Sequence, residues 1–478
     1  MAKSPVSNFL FKFIERIAGQ FISIIVTVIL ARLLDVEVFG SIEIILVVVS
    51  LCQIFVQSGL NTALIQKKDC TEEDFSLTFY LNVTVSIILY CLIFALSPII
   101  ESFYGINELS TYLRFSALVL VPCSITSIQN AYLAKRLQFE KQMICSVLGT
   151  LLGGCIGVVL AYRGFGIWSF IAYQLGVYTL TPIISFIYVR WYPKKVHDYK
   201  RLKPIISFGL KIFSANILET IYNDVSGLII GKVFSPVALA LYGKGKQFPQ
   251  ALITSINGSI QAVAFPYMAK KQDSIDDIKD MLRRLIKISS FVVFPVVLGM
   301  LAASKPFVVV LLTNKWIDCT LYMQLMCIIF LSWPIMTANS WALNAIGRSD
   351  LYLRIEIYKK ILNALALLVS IVAFRSVTAV LLGQIIVMPV NVYLNARLNK
   401  VMLKYKIAEL LVDIMPSLLA SFIMCVTLLS LQLFIENMYV LLGVQIALGF
   451  VVYFFINLII SNKALTYSLQ MIKNMFNI

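Results

Sequence analysis

The residues of this chain with the means to do chemistry are charged and amide side chains standing inside long apolar runs. The first run holds Lys12, Glu15, Arg16 and Gln20, and residues 12, 16 and 20, each four apart, share one helical face. A run near 206–231 holds Lys211, Glu219 and Asp224, and the next, near 237–264, holds Lys244, Lys246 and Gln247. A later run holds Arg354, Glu356, Lys359, Lys360 and Asn363. Charges in a hydrocarbon core are costly, so each is a functional candidate by default. Lysine and arginine there can meet anionic oxygens through charge-assisted hydrogen bonds, and a carboxylate can partner them or hold a proton.

Helical rise lets their depths be compared. At ~1.5 Å per residue, Asp224 lies roughly 9 Å and Lys244 roughly 12 Å from the outer ends of adjoining helices. Glu219 and Lys246 lie roughly 15–17 Å in, about the midplane of a ~30 Å core. Acids and bases on neighbouring antiparallel helices therefore match in depth. Two readings stand side by side: static ion pairs that let charged helices insert, and a working cavity. Lys12, Arg354 and Lys359, near the inner face, can also snorkel to phospholipid heads.

Such charges matter only if the runs cross a membrane, and composition says that they do. The chain has 478 residues, 60% of them hydrophobic, with mean hydropathy +0.88, against roughly 45–50% apolar residues in ordinary soluble domains. Apolar runs of spanning length recur from end to end, without the apolar–polar alternation of barrel strands. The fold class is an all-α polytopic membrane protein. His197 is the only histidine and the nine cysteines form no CxxC pair, so neither a metal cluster nor a Ser-His-Asp site nor a disulfide framework is indicated.

About fourteen transmembrane helices are expected. The first six lie near 10–32, 39–62, 76–100, 109–131, 142–162 and 166–189, and the first, lacking a cleavage site, should stay as a span. Six more lie near 206–231, 237–264, 286–312, 320–344, 352–374 and 377–396, and two near 412–434 and 438–461. The formal charge of +16 comes largely from alternate loops, with Lys67, Lys135, Arg136, Lys194, Lys195, Lys270, Lys279, Arg348, Lys400 and Lys404 on one side. By the positive-inside rule that side, with both termini, is cytoplasmic. No loop is long enough for a soluble domain.

The segment VILARLLDVEVFGSIE, Val28 to Glu43, returns as LIIGKVFSPVALALYG, Leu228 to Gly243, with Arg32 answering Lys232 at an offset of 200. Gly176, Pro182 and Arg190 likewise fall on Gly383, Pro389 and Arg397, at an offset of 207. A duplicated bundle follows: two six-helix bundles related by a parallel pseudo-two-fold repeat, plus two C-terminal helices. The expected domains are a lobe over 1–200, a lobe over 201–400, and two further helices with a tail over 401–478. The basic segment Arg190 to Lys203 is the linker between lobes.

Gly149, Gly153 and Gly157 lie on one helix face and read as a packing surface. The mixed-charge run Asp273 to Arg284 reads as a solvated cytoplasmic helix. The sequons at Asn82 and Asn257 fall within spans and carry no meaning.

Several segments together resemble one family. They are LARLLDVEVFG (Leu30 to Gly40), SGLNTALIQKKDCTEEDFS (Ser58 to Ser76), GVVLAYRGFGIWSFIAYQ (Gly157 to Gln174) and IYNDVSGLIIGKVFSPVALALYGKGKQFP within Phe208 to Pro249. They are similar to the Wzx-type polysaccharide flippases, in the colanic- and teichuronic-acid exporter branch of the multidrug/oligosaccharidyl-lipid/polysaccharide exporter superfamily. The family usually has glycine where this chain has Ala240. The resemblance covers nearly the whole chain. It implies an alternating-access flippase, not an enzyme, moving an undecaprenyl-diphosphate-linked oligosaccharide across the bacterial inner membrane for O-antigen, capsule or exopolysaccharide synthesis. The diphosphate would meet cavity cations Arg16, Lys211, Lys244, Lys246, Arg354, Lys359 and Lys360. Ion coupling, by H⁺ or Na⁺ with no other cofactor, would use Asp224, which resembles the family's acid on this helix, with Glu219, Asn363 and Gln384. Partners are the lipid-linked oligosaccharide, membrane lipids and other polysaccharide assembly proteins, and no nucleic acid.

The alternatives differ in sequence. A drug or cation exporter of the same superfamily would have a smaller cavity rich in acids and aromatics, whereas in-span cations outnumber acids here. A membrane polysaccharide polymerase needs a long external catalytic loop, and a glycosyltransferase needs a soluble nucleotide-sugar domain. The chain has neither.

Overall fold

The structure, a computed structural model, describes residues 5–57, 59–67, 69–196, 202–270, 274–346, 348–460, 462 and 464–465. Of residues 5–10, 204, 208, 211–212, 214–225, 259, 261–267, 269–270, 344–345 and 349–350 it describes the backbone alone. Among the described residues there is helix and no strand. In chain order the helices are α1 (Pro5–Leu33), α2 (Val36–Gln57), α3 (Leu60–Gln66), α4 (Glu72–Tyr104), α5 (Leu109–Ala117), α6 (Leu120–Lys135), α7 (Phe139–Tyr162) and α8 (Ile167–Val189). They continue as α9 (Leu202–Val233), α10 (Pro236–Lys270), α11 (Ile275–Leu312), α12 (Cys319–Phe330), α13 (Trp333–Ala345), α14 (Ser349–Val369), α15 (Val377–Leu403), α16 (Ile407–Ser430) and α17 (Met438–Ile459).

Among the described residues, twelve segments are long and apolar enough to cross a membrane, and they fall on twelve of the fourteen expected spans. α9 and α10, of 32 and 35 residues, stand where spans seven and eight were expected. Expected spans four and ten are each made of two helices, α5–α6 and α12–α13, broken at Leu118–Val119 and Leu331–Ser332. Large apolar side chains such as Leu433, Phe450, Ile386 and Val372 are more than 70% exposed, as a lipid-facing surface requires. The chain is a multi-pass membrane protein.

Helix ends follow local chemistry. Thr71 caps α4, accepting from Asp74 N while its own N–H donates to Asp74 Oδ2 at 2.9 Å, so two otherwise unmet N–H groups are satisfied reciprocally. Gly105, at φ 70°, ends the same helix in the left-handed conformation that a β-carbon disfavours. Lys135 donates to the carbonyls of Ile65 and Lys67, both at 2.7 Å, closing the end of α3. Basic residues expected merely to mark the inner side thus also tie loops down.

The chain packs as two compact units, Met1–Ala240 and Leu241–Ile478. In the first, the glycine face of α7 lies on α8 as expected. A β-carbon on Gly153 would stand 2.4 Å from Val177 N, and one on Gly157 2.5 Å from Tyr173 Cβ. Near the α3–α4 turn, Trp191 packs among Phe75, Tyr132 and Leu64, and its ring nitrogen donates to Glu72 at 3.0 Å.

In the second unit α11 is the central helix. Ile278, Leu282 and Ile286 pack with Ala338, Leu403, Leu410 and Ile414, and Leu298 and Ala302 with Met424, Leu428 and Tyr453. Here the sequence reading of Asp273 to Arg284 as a solvated loop helix needs correction. From Ile275 onward it is the first part of α11, with Ile278 and Leu282 fully buried. Its polar side is engaged too: Arg283 makes a two-pronged contact with Asp413 of α16, at 2.7 and 2.9 Å. Lys287 reaches the same carboxylate at 3.0 Å, and Lys279 reaches Glu409 at 3.2 Å.

Candidate functional site

Of the in-span residues singled out by sequence, two cations of the second unit are buried. Lys244, on α10, is 3% exposed and donates to Gln247 Oε1 at 3.0 Å, one turn along the same helix. The helix is held closely there, because a β-carbon on the next residue, Gly245, would lie 2.8 Å from Tyr322 Cβ of α12. Lys359, on α14, is 5% exposed and forms an ion pair with Glu356 one turn earlier.

From Lys359 a string of polar contacts runs from α14 to α15. Asn363 Nδ2 donates to the Lys359 carbonyl at 2.8 Å, and Asn391 Nδ2 of α15 donates to Asn363 Oδ1 at 3.3 Å. One expected ion-coupling residue therefore sits beside an expected cavity cation. Gln384 is on α15 and half-buried. Lys246 and Lys360 are half-buried, and Arg16 and Arg354 are exposed on α1 and α14. Arg354 stands over the Tyr358 ring, 5.9 Å from its centroid, a cation–π arrangement that suits a cation at a lipid surface. Also on α1, Lys12 pairs with Glu15 at 2.8 Å. The side chains of Lys211, Glu219 and Asp224 lie outside the described residues, so the expected pairing of these acids with Lys244 and Lys246 does too.

Chemically this set offers cations held by neutral or acidic neighbours one turn away. The charge of such a cation can be shared with an anionic oxygen that enters. A phosphate-bearing ligand is the matching class.

Three groups were missed by sequence reasoning. Asn391, Asn395 and Asn399 stand on one buried face of α15, and Asn399 Nδ2 donates to Asn339 Oδ1 of α13 at 2.7 Å. Their spacing of four within NVYLNARLN was the available signal. Asp413, the only acid inside expected span thirteen, gathers Arg283 and Lys287. Tyr405, in the turn before α16, also donates to it at 3.0 Å. Burial and the Asp413 charge push the Tyr405 hydroxyl pKa upward, so it stays the donor. Arg114, on α5, donates to Ser97 at 2.9 Å and stands over the Phe94 ring at 4.1 Å.

Residues 29–321 match the family described as "Polysaccharide biosynthesis protein". The chain is 25% identical over 301 residues to the teichuronic acid biosynthesis protein TuaB of Bacillus subtilis (strain 168), covering 63% of this chain and 62% of that protein. The alignment thus spans a little under two thirds of that relative's length. Identity is 22% over 369 residues to the lipopolysaccharide biosynthesis protein WzxC of Escherichia coli (strain K12), covering 77% of this chain and 75% of that one. Among solved structures, lipid II flippase MurJ in an inward closed conformation superposes with a TM-score of 0.75 at 14% identity, over 96% of this chain and 100% of that one. At that identity the likeness is one of fold.

Proposed function

Because the chain belongs to the polysaccharide biosynthesis protein family, we propose that it is a flippase for a lipid-linked oligosaccharide. Its substrate is a repeat unit carried on undecaprenyl diphosphate, moved across the bacterial cytoplasmic membrane by alternating access for assembly of a surface polysaccharide. The observation that carries this reading is the family match over residues 29–321 of a chain with twelve spans among its described residues. The names of the relatives, teichuronic acid and lipopolysaccharide biosynthesis, point to the same substrate class. Buried Lys244 and Lys359 supply cations for the diphosphate, with Lys211, Lys246 and Lys360 nearby in sequence. Arg16 and Arg354 serve where the head group enters.

In this reading α9 and α10 complete fourteen spans, both termini are cytoplasmic, and residues 1–200 and 201–400 are lobes related by the internal repeat. Residues 401–478 add two helices and a tail. Glu219 and Asp224 partner the cations when the diphosphate leaves, or hold a coupling H⁺ or Na⁺ together with Asn363 and Gln384. Other assembly proteins of the polysaccharide act beside it.

Deleting the gene tests the proposal. The expected outcome is loss of the surface polysaccharide with its lipid-linked repeat unit retained on the inner leaflet. A repeat unit that still reaches the outer leaflet, with only chain length altered, would replace a flippase by a polymerase.

A further inference from the structure

The buried face of α15 presents Asn391, Asn395 and Asn399 one above another, 7%, 0% and 0% exposed. Asn391 meets Asn363 of α14 and Asn399 meets Asn339 of α13, itself fully buried. Five amides thus line the seam where α13, α14 and α15 pack. Five of their side-chain atoms have no protein partner: Oδ1 of Asn391, both Nδ2 and Oδ1 of Asn395, Oδ1 of Asn399 and Nδ2 of Asn339. An orphaned buried amide group keeps its full desolvation penalty, and a seam that kept five such atoms dry would be a poor way to join three helices.

We infer that this seam binds a file of buried water. The orphaned atoms are three acceptors and two donors, and water can answer both kinds at once. A bare cation would answer only the acceptors. Counted from the end of α15 at Leu403, Asn399 lies ~6 Å and Asn391 ~18 Å along the helix, by rise per residue. The file therefore leads from one membrane surface to the Asn363–Asn391 pair near mid-helix, where the proposed coupling residues stand. Water, and a proton relayed along it, gains a route through the second unit. That this surface is the cytoplasmic one rests on the topology of the flippase reading.

Two measurements on the full-length protein test the file without requiring transport. First, Asn395→Leu is compared with wild type by thermal unfolding of the purified protein. Loss of a water-bridging amide lowers the midpoint. A dry, unpaired amide predicts a raised midpoint, and that result overturns the proposal. Second, cysteine is placed at Asn395, Lys404 or Leu381 in a cysteine-free background in membrane vesicles. Ag⁺, which reaches a thiol only through water, is applied from either side. The cysteine at 395 should react within about tenfold of the exposed one at 404, from the same side, about 1.4 kcal/mol of barrier at most. The one at buried Leu381 should lag well behind both. A thiol at 395 as slow as that at 381 overturns the file. Reaction of both 395 and 404 from the outside overturns the assumed topology and leaves the file standing.

Discussion

Gly40 lies so close to Pro236 that a β-carbon on it would stand 2.4 Å from the Pro236 carbonyl oxygen. Gly40 is in the second turn of α2, and Pro236 opens α10. Gly40 lies in the stretch Val28 to Glu43 and Pro236 in the similar stretch Leu228 to Gly243, so the two similar stretches touch here. Ala240, which stands at the offset of 200 from Gly40, keeps its methyl fully buried. Only the Gly40 side of the junction is closed to a side chain.

Gly40→Ala should therefore destabilise the protein. Overpacking of this kind costs about 1–3 kcal/mol, and the obstruction is backbone, which cannot rotate away. Gly443→Ala on α17 is the control, because a β-carbon there meets nothing within 4 Å. It should be neutral or raise stability by about 0.5–1 kcal/mol, as alanine does in a helix interior. Thermal unfolding in detergent compares the two. Equal midpoints would mean that the α2–α10 contact is looser than the close approach requires.

Asp413 and Arg283 give an asymmetric prediction. The Asp413 side chain is 2% exposed and receives Arg283, Lys287 and Tyr405. Arg283→Met leaves the carboxylate with two partners and should cost roughly 1.5–3 kcal/mol, the worth of a charged hydrogen bond. Asp413→Leu strips the shared anion from two cations that are themselves mostly buried, and should cost roughly 3–5 kcal/mol. Membrane abundance and unfolding midpoint should rank Asp413→Leu below Arg283→Met. The reverse order would mean that Glu409 alone can hold the cations.

Most of the architecture was legible because burial in lipid leaves little choice: an apolar run of spanning length must be helical. What hydropathy hid were the ends. α4 runs over 72–104 rather than 76–100, because Thr71, Asp74 and Gly105 extend it beyond its apolar part. α11 starts eleven residues early (286 − 275), because Ile278 and Leu282 are spaced to bury one side of a charged stretch. The buried lysines were legible as charges out of place. The asparagine row was not, since an amide carries no charge to flag, and only its spacing marked it. Lys359 was read as a residue that could snorkel, yet it turns inward to Glu356 and is buried.

Topology can be checked directly. Single cysteines at exposed Asn107 and Glu436 should react with an impermeant maleimide added outside intact cells, and cysteines at exposed Lys195 and Asp276 should not. The alternating basic loops lead to this arrangement. The opposite labelling pattern would invert every span and place the row from Asn399 to Asn391 on the outer half.

The Lys359–Glu356 pair separates a working cation from insertion chemistry. Lys359 has a side chain 6% exposed, while Glu356 is 24% exposed and can still reach water. The singles should therefore differ. Glu356→Leu strands a buried ammonium, whereas Lys359→Met leaves an acid that can hydrate or take a proton. Losing one partner of a buried pair costs roughly 3–5 kcal/mol, and replacing both by apolar residues is often close to neutral. The double variant should then be as abundant in the membrane as wild type, and Glu356→Leu alone should be the least abundant. Export decides the rest. If Lys359 meets the diphosphate, the abundant double variant exports no polysaccharide, and its lipid-linked repeat unit collects inside. Export restored together with abundance would remove Lys359 from the substrate path and leave the pair as a means of placing α14 in the membrane. Lys244→Met, read in the same assay, shows whether the buried cation of α10 follows the same rule. A protein still present in the membrane that no longer exports is the result expected if Lys244 meets the diphosphate.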